Sequence, residues 1–285
     1  MSEAAQPPNR SVSERRIRFV ERTADGDVVS MTFEDPAPRY AIQGTASART
    51  TGEVAGRLRD PVLDVVLLPL SAAPQPAPQE ERQGFAEWLE KINDPDAPLP
   101  VIVKYRGVEL MWRPGRVLLQ CDPEQAELLL SAVIEFTHYE CELRRIENEI
   151  AGGWVELQQD KSLAFEVTGA GLDRSAVVGQ RMDRVLERRI RLARIEPHLY
   201  APDVRLPVAA RKLGEELREK ARTEARLETA DGQLEVFEDV YEMSGQRMGE
   251  YRAARQEHVL EWVIILLLAA ELLLMLVQTA WRVRL

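Results

Sequence analysis

Trp262-Val263-Ile264-Ile265-Leu266-Leu267-Leu268-Ala269-Ala270-Glu271-Leu272-Leu273-Leu274-Met275-Leu276-Val277-Gln278-Thr279-Ala280-Trp281 leaves only Arg282 to Leu285 beyond it. At about 1.5 Å per residue, a helix of this length spans roughly 30 Å, the hydrocarbon thickness of a bilayer. The run holds 11 Leu, Ile and Val residues. At roughly 0.3 to 0.6 kcal/mol each, these favour insertion by about 3 to 7 kcal/mol, against a cost of roughly 3 kcal/mol for a central charged residue such as Glu271. The apolar residues win, so a transmembrane helix is expected. Trp262 and Trp281 at its ends, and Arg252, Arg255, Arg282 and Arg284 on its two sides, fit the interfacial belts. The rival reading is an amphipathic core helix, which would need a polar face; the run has none.

Working outward, the first 30 residues contain no apolar run, so no signal peptide is expected. The body is expected to stay in the cytoplasm, with a single-pass C-terminal anchor inserted after synthesis. Positive charges on the two sides nearly balance and add little to this orientation. The net charge of -10 belongs to the body, because Glu261 and Glu271 offset Arg282 and Arg284. An acidic body is repelled by an anionic bilayer and by nucleic acid, so contact with phosphate would require a local basic patch. Cys121 and Cys141 are too few for a disulfide framework and suit a reducing compartment.

Residues 1–15 are polar, proline-bearing and aperiodic, and read as a disordered tail. An α/β domain is expected over 16–121. Ile17 to Arg22 and Val28 to Phe33 flank Asp25-Gly26, the signature of a β-hairpin. Tyr40 to Gln43, Val62 to Leu68, Val101 to Tyr105, Val108 to Trp112 and Arg116 to Gln120 read as further strands, with Val62 to Leu68 apolar enough for the middle of a sheet. Gly52 to Leu58 and Gly84 to Ile92 read as short helices, and the proline-rich Ala72 to Gln79 as a surface connection.

A helical domain is expected over 122–200. Asp122, Pro123 and Glu124 carry helix-start chemistry. Leu129, Val133, Phe136, Leu143, Ile146 and Ile150 then recur at three and four, until Gly152-Gly153 is expected to stop the helix. A second helix is expected from Asp173 to Glu196, ended by Pro197. Residues 201–258 read as a helical hairpin or coiled-coil stalk, with a third, largely solvated helix from Val208 to Ala230 and a break at Asp231-Gly232. The last helix carries Leu234, Phe237, Tyr241, Ser244, Met248 and Tyr251, a three-four alternation that suits an antiparallel or oligomeric coiled-coil seam. Gly245 and Gly249 permit close approach of a neighbouring helix or supply a hinge, the hinge being favoured. The anchor takes up 259–282. The expected fold class is α+β: a small N-terminal α/β domain, a long-helix stalk and one C-terminal transmembrane helix.

Leu260-Glu261-Trp262-Val263-Ile264-Ile265, with Glu271 inside the apolar run and Arg226-Leu227-Glu228-Thr229-Ala230-Asp231 upstream, resembles the close of the DUF155 (required for meiotic nuclear division) family. That family usually has Asn where Asp231 stands. Arg116-Val117-Leu118-Leu119 followed by Pro123-Glu124-Gln125-Ala126-Glu127 is similar to its strand-to-helix junction. The likeness covers about half of the chain. It implies a membrane-anchored, oligomer-forming protein without known enzymatic chemistry, whose mitochondrial relatives support organelle translation at the inner membrane.

Catalytic signatures are missing from the sequence. His138, His198 and His258 lie on separate elements, and His138 with Cys141 supplies two zinc ligands where a structural site needs four. Gly169-Ala170-Gly171 follows an apolar run, but Arg174 stands in the third glycine position of a dinucleotide loop, so a plain turn is the better reading. No cofactor, metal or catalytic residue is expected. One basic feature is patterned: Arg174, Arg181, Arg184, Arg188 and Arg191 fall within about a quarter of one helix circumference. They are candidates for contact with an anionic surface, lipid ahead of RNA. Pairing with acidic neighbours such as Glu215, Glu216 and Glu219 stands first. Glu271 is a functional candidate because charge inside a bilayer is costly; it is expected to be protonated, or hydrogen-bonded to another copy's helix, and so to help set the oligomer state. The function expected is a self-associating scaffold or tether that holds an unknown protein partner at the bilayer. The rivals are a membrane-tethered enzyme with its site between the two halves, and an RNA- or ribosome-associated tether.

Overall fold

A computed structural model describes residues 12–44, 62–70, 84, 87–89, 98–165 and 174–284, the last nine of these by backbone only. The tail before residue 12, the helix expected at Gly52 to Leu58, the proline-rich connection and Gly169-Ala170-Gly171 lie outside the described residues. The layout is α+β: a seven-stranded sheet followed by helices, the last of them long and apolar toward its C-terminal end.

The strands are β1 Ser13–Val20, β2 Val28–Phe33, β3 Arg39–Gly44, β4 Val62–Pro69, β5 Val101–Tyr105, β6 Val108–Arg113 and β7 Arg116–Cys121, in the spatial order β2-β3-β1-β4-β7-β6-β5. β1 starts at Ser13, inside the stretch expected to be disordered, because Ser13 to Arg18 pair with Val62 to Leu67 of β4. β4 lies at the centre and is buried from Leu63 through Leu68, as its unbroken apolar run requires. It pairs parallel with β7, while every other neighbouring pair is antiparallel.

The expected β1–β2 hairpin does not form. β3 lies between these strands and is antiparallel to both, so β1 and β2 run parallel to one another. The Asp25-Gly26 turn is nevertheless present: Gly26 has φ +93°, and Asp27 Oδ2 accepts from the Ala24 N–H at 2.7 Å. It reverses the chain locally without joining paired strands, since a tight hairpin demands antiparallel neighbours. True hairpin turns sit at Arg106-Gly107, both with positive φ, between β5 and β6, and at Pro114-Gly115, with Gly115 at φ +82°, between β6 and β7.

Four helices follow: α1 Ala126–Asp160, α2 Ser175–Tyr200, α3 Val208–Lys220 and α4 Thr223–Arg284. Three expected ends are corrected. Asp122 Oδ1 accepts from the Glu124 N–H at 3.1 Å, but α1 then runs through Gly152-Gly153. Two interior glycines cost about 1 kcal/mol each, and the turns beyond them are held by buried Leu157 and Asp160 and by Trp154, whose ring meets Phe237 edge-on at 4.9 Å. α2 continues through Pro197, with buried Leu199 in the added turn. The break expected at Asp231-Gly232 falls instead at Ala221-Arg222, where Arg222 takes φ +53°, and α4 continues through Gly232, Gly245 and Gly249.

Contacts group the chain into two compact units, one of residues 1–150 and 188–232, the other of residues 151–187 and 233–285. In the first, the N-terminal half of α1 covers one sheet face. Ile17, Phe19, Val65, Leu110, Trp112, Val117 and Leu119 are buried there, Trp112 Nε1 donates to Thr137 Oγ1 at 2.8 Å, and its ring meets Phe136 edge-on at 5.0 Å. On the opposite face Val66, Leu68 and Leu118 pack with Leu89, one of the residues found helical within the expected Gly84 to Ile92 segment. α3 lies close to Pro202 through Gly214, where an added Cβ would meet Pro202 Cγ at 2.9 Å.

Candidate functional site

Two regions depart from the ordinary distribution of polar and apolar groups. The first is a set of buried carboxylates on α1. Glu135, Glu142, Glu149 and Glu156 recur every seven residues, which places them on one helix face. Glu135, almost wholly buried, lies 3.3 Å from Arg218 Nη2 and accepts from the Asp203 N–H at 2.8 Å. Arg218 Nε donates to His198 O at 2.9 Å and Nη1 to Gly214 O at 3.0 Å. Burial pushes the Glu135 carboxyl up and the Arg218 guanidinium down, and their mutual attraction works against both shifts. Glu142 is approached by Arg39 at 3.8 Å and by Arg191 at 3.7 Å. Glu140, with no exposed surface, is met by Arg144 at 2.7 Å and Arg226 at 2.5 Å; burial raises its carboxyl, opposed by those two cations.

The arginine stripe belongs to this arrangement. Arg188 and Arg191 reach Glu149 at 3.2 and 3.0 Å, Arg184 reaches Glu156 at 3.1 Å, and Arg174 and Arg181 both pair with the fully buried Asp160. The pairing reading therefore describes all five, but the partners lie on α1 and not at Glu215, Glu216 and Glu219. The sequence did carry a signal for this: acids at intervals of seven on one helix, and arginines at intervals of seven (Arg174, Arg181, Arg188) on the next.

His138 is buried and neutral. Its Nε2 lies 3.0 Å from Asp35 O, a group that only accepts, so Nε2 carries the proton. The ring stacks on Phe33 at 3.9 Å, and burial pulls the imidazole pKa down to about 4. His198 stacks on Tyr139 at 4.2 Å and lies 3.6 Å from Asp35. Burial pushes the thiols of Cys121 and Cys141 up to about 11 and 12, leaving both protonated at neutral pH. Among the described residues no three His, Cys, Asp or Glu side chains converge to hold a metal ion. A cleft of about 320 Å³ lies between α2 and α4, lined by Glu196, Tyr200, Leu227, Glu228 and the Arg189–Asp231 ion pair. These groups offer no nucleophile with a base positioned to activate it.

The second region is the C-terminal part of α4. It is long and apolar enough to cross a membrane, and none of that stretch is buried. Trp262 is 66% exposed, and every large apolar side chain from Val263 to Leu274 is more than 45% exposed. Glu271 is exposed among them. Trp281 lies on the helix, its side chain outside the described residues. Upstream on the same helix the three-four seam is buried within the single chain: Leu234, Phe237, Tyr241, Ser244 and Met248 are all buried, and only Tyr251 is exposed.

No family model matches the chain, and no curated protein matches it.

Proposed function

We propose that this protein is a membrane-anchored scaffold or tether, fixed in the bilayer by the helix from Trp262 to Trp281 and holding a protein partner there through its water-soluble part. The observation that carries the reading is the exposure of 11 large apolar side chains between Trp262 and Met275. At about 1.5 to 3 kcal/mol for each such side chain moved from water into an apolar medium, their burial is worth roughly 15 to 30 kcal/mol. That exceeds the whole stability of an ordinary domain, about 5 to 15 kcal/mol. The helix therefore requires an apolar surrounding, and one flanked by Trp262 and Arg255 suits lipid.

The tether reading is supported by what the body offers chemically. Its buried carboxylates are matched by cations, its buried histidine is neutral and its thiols are protonated. The resemblance of residues 226–231 and 260–265 to the DUF155 family points the same way. The RNA-tether alternative rested on the family resemblance and on the arginine stripe, and the five members of that stripe pair with α1 carboxylates. We place the body on the cytoplasmic face, a choice supported by two free cysteines, which suit a reducing compartment.

The test is fractionation of cells expressing the full chain and a truncation after Arg255. The full chain is expected in the membrane pellet after alkaline carbonate washing and in solution only with detergent, while the truncation is expected in the supernatant. Recovery of the full chain in the high-speed supernatant without detergent overturns the anchor. Protease access in sealed vesicles checks the side, and affinity capture from native membranes through the full chain identifies the partner.

A further inference from the structure

We propose that two copies of this chain associate inside the bilayer through the face of α4 that carries Glu271. The inference rests on the anchor reading and moves the self-association surface away from the stalk. In the sequence, the seam from Leu234 to Met248 suited either an antiparallel or an oligomeric coiled coil. In the structure it is spent: all five of its residues up to Met248 are buried by the chain itself, with Phe237 against Trp154.

The exposed part of α4 presents a different surface. Lipid covers leucine, isoleucine and valine without further help, and an unpartnered apolar face alone would call for nothing but lipid. Glu271 is what lipid does not cover. It lies nine residues after Trp262 and ten before Trp281, at the depth where a polar group has no water to bond with and where the cost of leaving it unsatisfied is greatest. Among the described residues the span is exposed as far as Met275, and Glu271 is exposed with it. Polar side chains at such positions are satisfied by hydrogen bonds across helix pairs. A second copy in parallel orientation brings an identical carboxyl to the same depth, and a carboxyl group pairs with its own kind because its protonated form both donates and accepts. Gln278 stands seven residues further on, at nearly the same helical phase, so the polar positions recur with the heptad period of a two-helix seam. Ile264, Leu267, Leu268, Leu274 and Met275 flank Glu271 on this face and supply the apolar packing around it.

The experiment reconstitutes the purified full chain, with no other protein, into phosphatidylcholine vesicles. It measures dimer formation by a dilution series with Förster transfer between labelled copies, for wild type, Glu271→Gln and Glu271→Leu. Replacing a central carboxyl by leucine favours insertion, so loss of association in Glu271→Leu cannot come from loss of the anchor; carbonate resistance of each variant confirms this. Wild type and Glu271→Gln, which keeps a donor and an acceptor, are expected to dimerise. Glu271→Leu is expected to dimerise roughly 5- to 30-fold more weakly, the range that one interhelical polar bond imposes. Equal association of wild type and Glu271→Leu overturns the proposal. So does a wild type that stays monomeric in vesicles, which would assign Glu271 to a different membrane partner, and so does loss of association in Glu271→Gln to the level of leucine. Release of wild type by carbonate would instead sink the anchor reading on which this proposal stands.

Discussion

α1 and the end of α4 invert the usual arrangement in opposite directions. α1 places Glu135, Glu140 and Glu142 where water does not reach, and the end of α4 places leucine after leucine where, in the isolated chain, nothing else does. In α1 the anomaly is resolved from within, by Arg39, Arg144, Arg191, Arg218 and Arg226. In α4 it is not resolved by any part of the described chain. A buried charge with its cation beside it is a statement about the protein's own architecture, whereas an exposed apolar helix is a statement about its surroundings. On the anchor reading proposed above, the end of α4 serves attachment, while the ion pairs of α1 serve stability.

The contrast is open to attack. The largest effect is expected from Arg218→Ala, which leaves Glu135 buried beside no cation; breaking such a pair costs roughly 3 to 5 kcal/mol. Urea unfolding of the full chain in detergent micelles, followed by tryptophan fluorescence, should show a much lower midpoint. An unchanged midpoint would mean that the pair is wet and that α1 is not different in kind.

A matched pair of leucine truncations sharpens the same point. Leu213→Ala, at a site 1% exposed, should cost about 2 to 5 kcal/mol, whereas Leu267→Ala, at a site 66% exposed, should leave body stability within about 0.5 kcal/mol. Comparable losses would place Leu267 in a packed core.

pH dependence tests the interior of the first unit. His138 binds a proton readily when unfolded, at about 6.5, but only near 4 when folded. The unfolded state therefore holds more protons between these values, and stability is complete above pH 6.5 and lost as pH falls toward 4. At about 1.4 kcal/mol per pH unit the loss reaches roughly 3 kcal/mol. The raised carboxyls of Glu135 and Glu140 act oppositely, so the clean measurement is the difference between wild type and His138→Gln across that window. A difference that does not vary with pH would contradict a buried neutral imidazole.

The smallest effects concern the helix surface. Gly245→Ala and Gly249→Ala place a Cβ where nothing lies within 4 Å and should each stabilise by about 0.5 to 1 kcal/mol. Destabilisation would reinstate the hinge.

Legibility followed the range of the interactions involved. Each strand from Val62 to Cys121 was readable because alternation or an unbroken apolar run is a local property. Pairing was not: β3 enters between β1 and β2 and pairs antiparallel with both, and no residue of Asp25-Gly26 records that. Gly152-Gly153, Pro197 and Gly232 were misleading for the same reason, since each carries a local penalty of a few kcal/mol at most and the packing of Leu157, Leu199 or Leu234 exceeds it. The arginine stripe was visible at its spacing of seven, but its partners required knowing which helix lies beside it.

What the chain determined by itself is the α+β layout and the apolar C-terminal helix, because both depend on composition and period within a short window. Only the tertiary structure decided the strand order, the helix ends, the intramolecular use of the Leu234 to Met248 seam and the pairing of every stripe arginine with α1. Those depend on which distant segments meet, and the free energy of a contact between distant residues is written in neither of them alone.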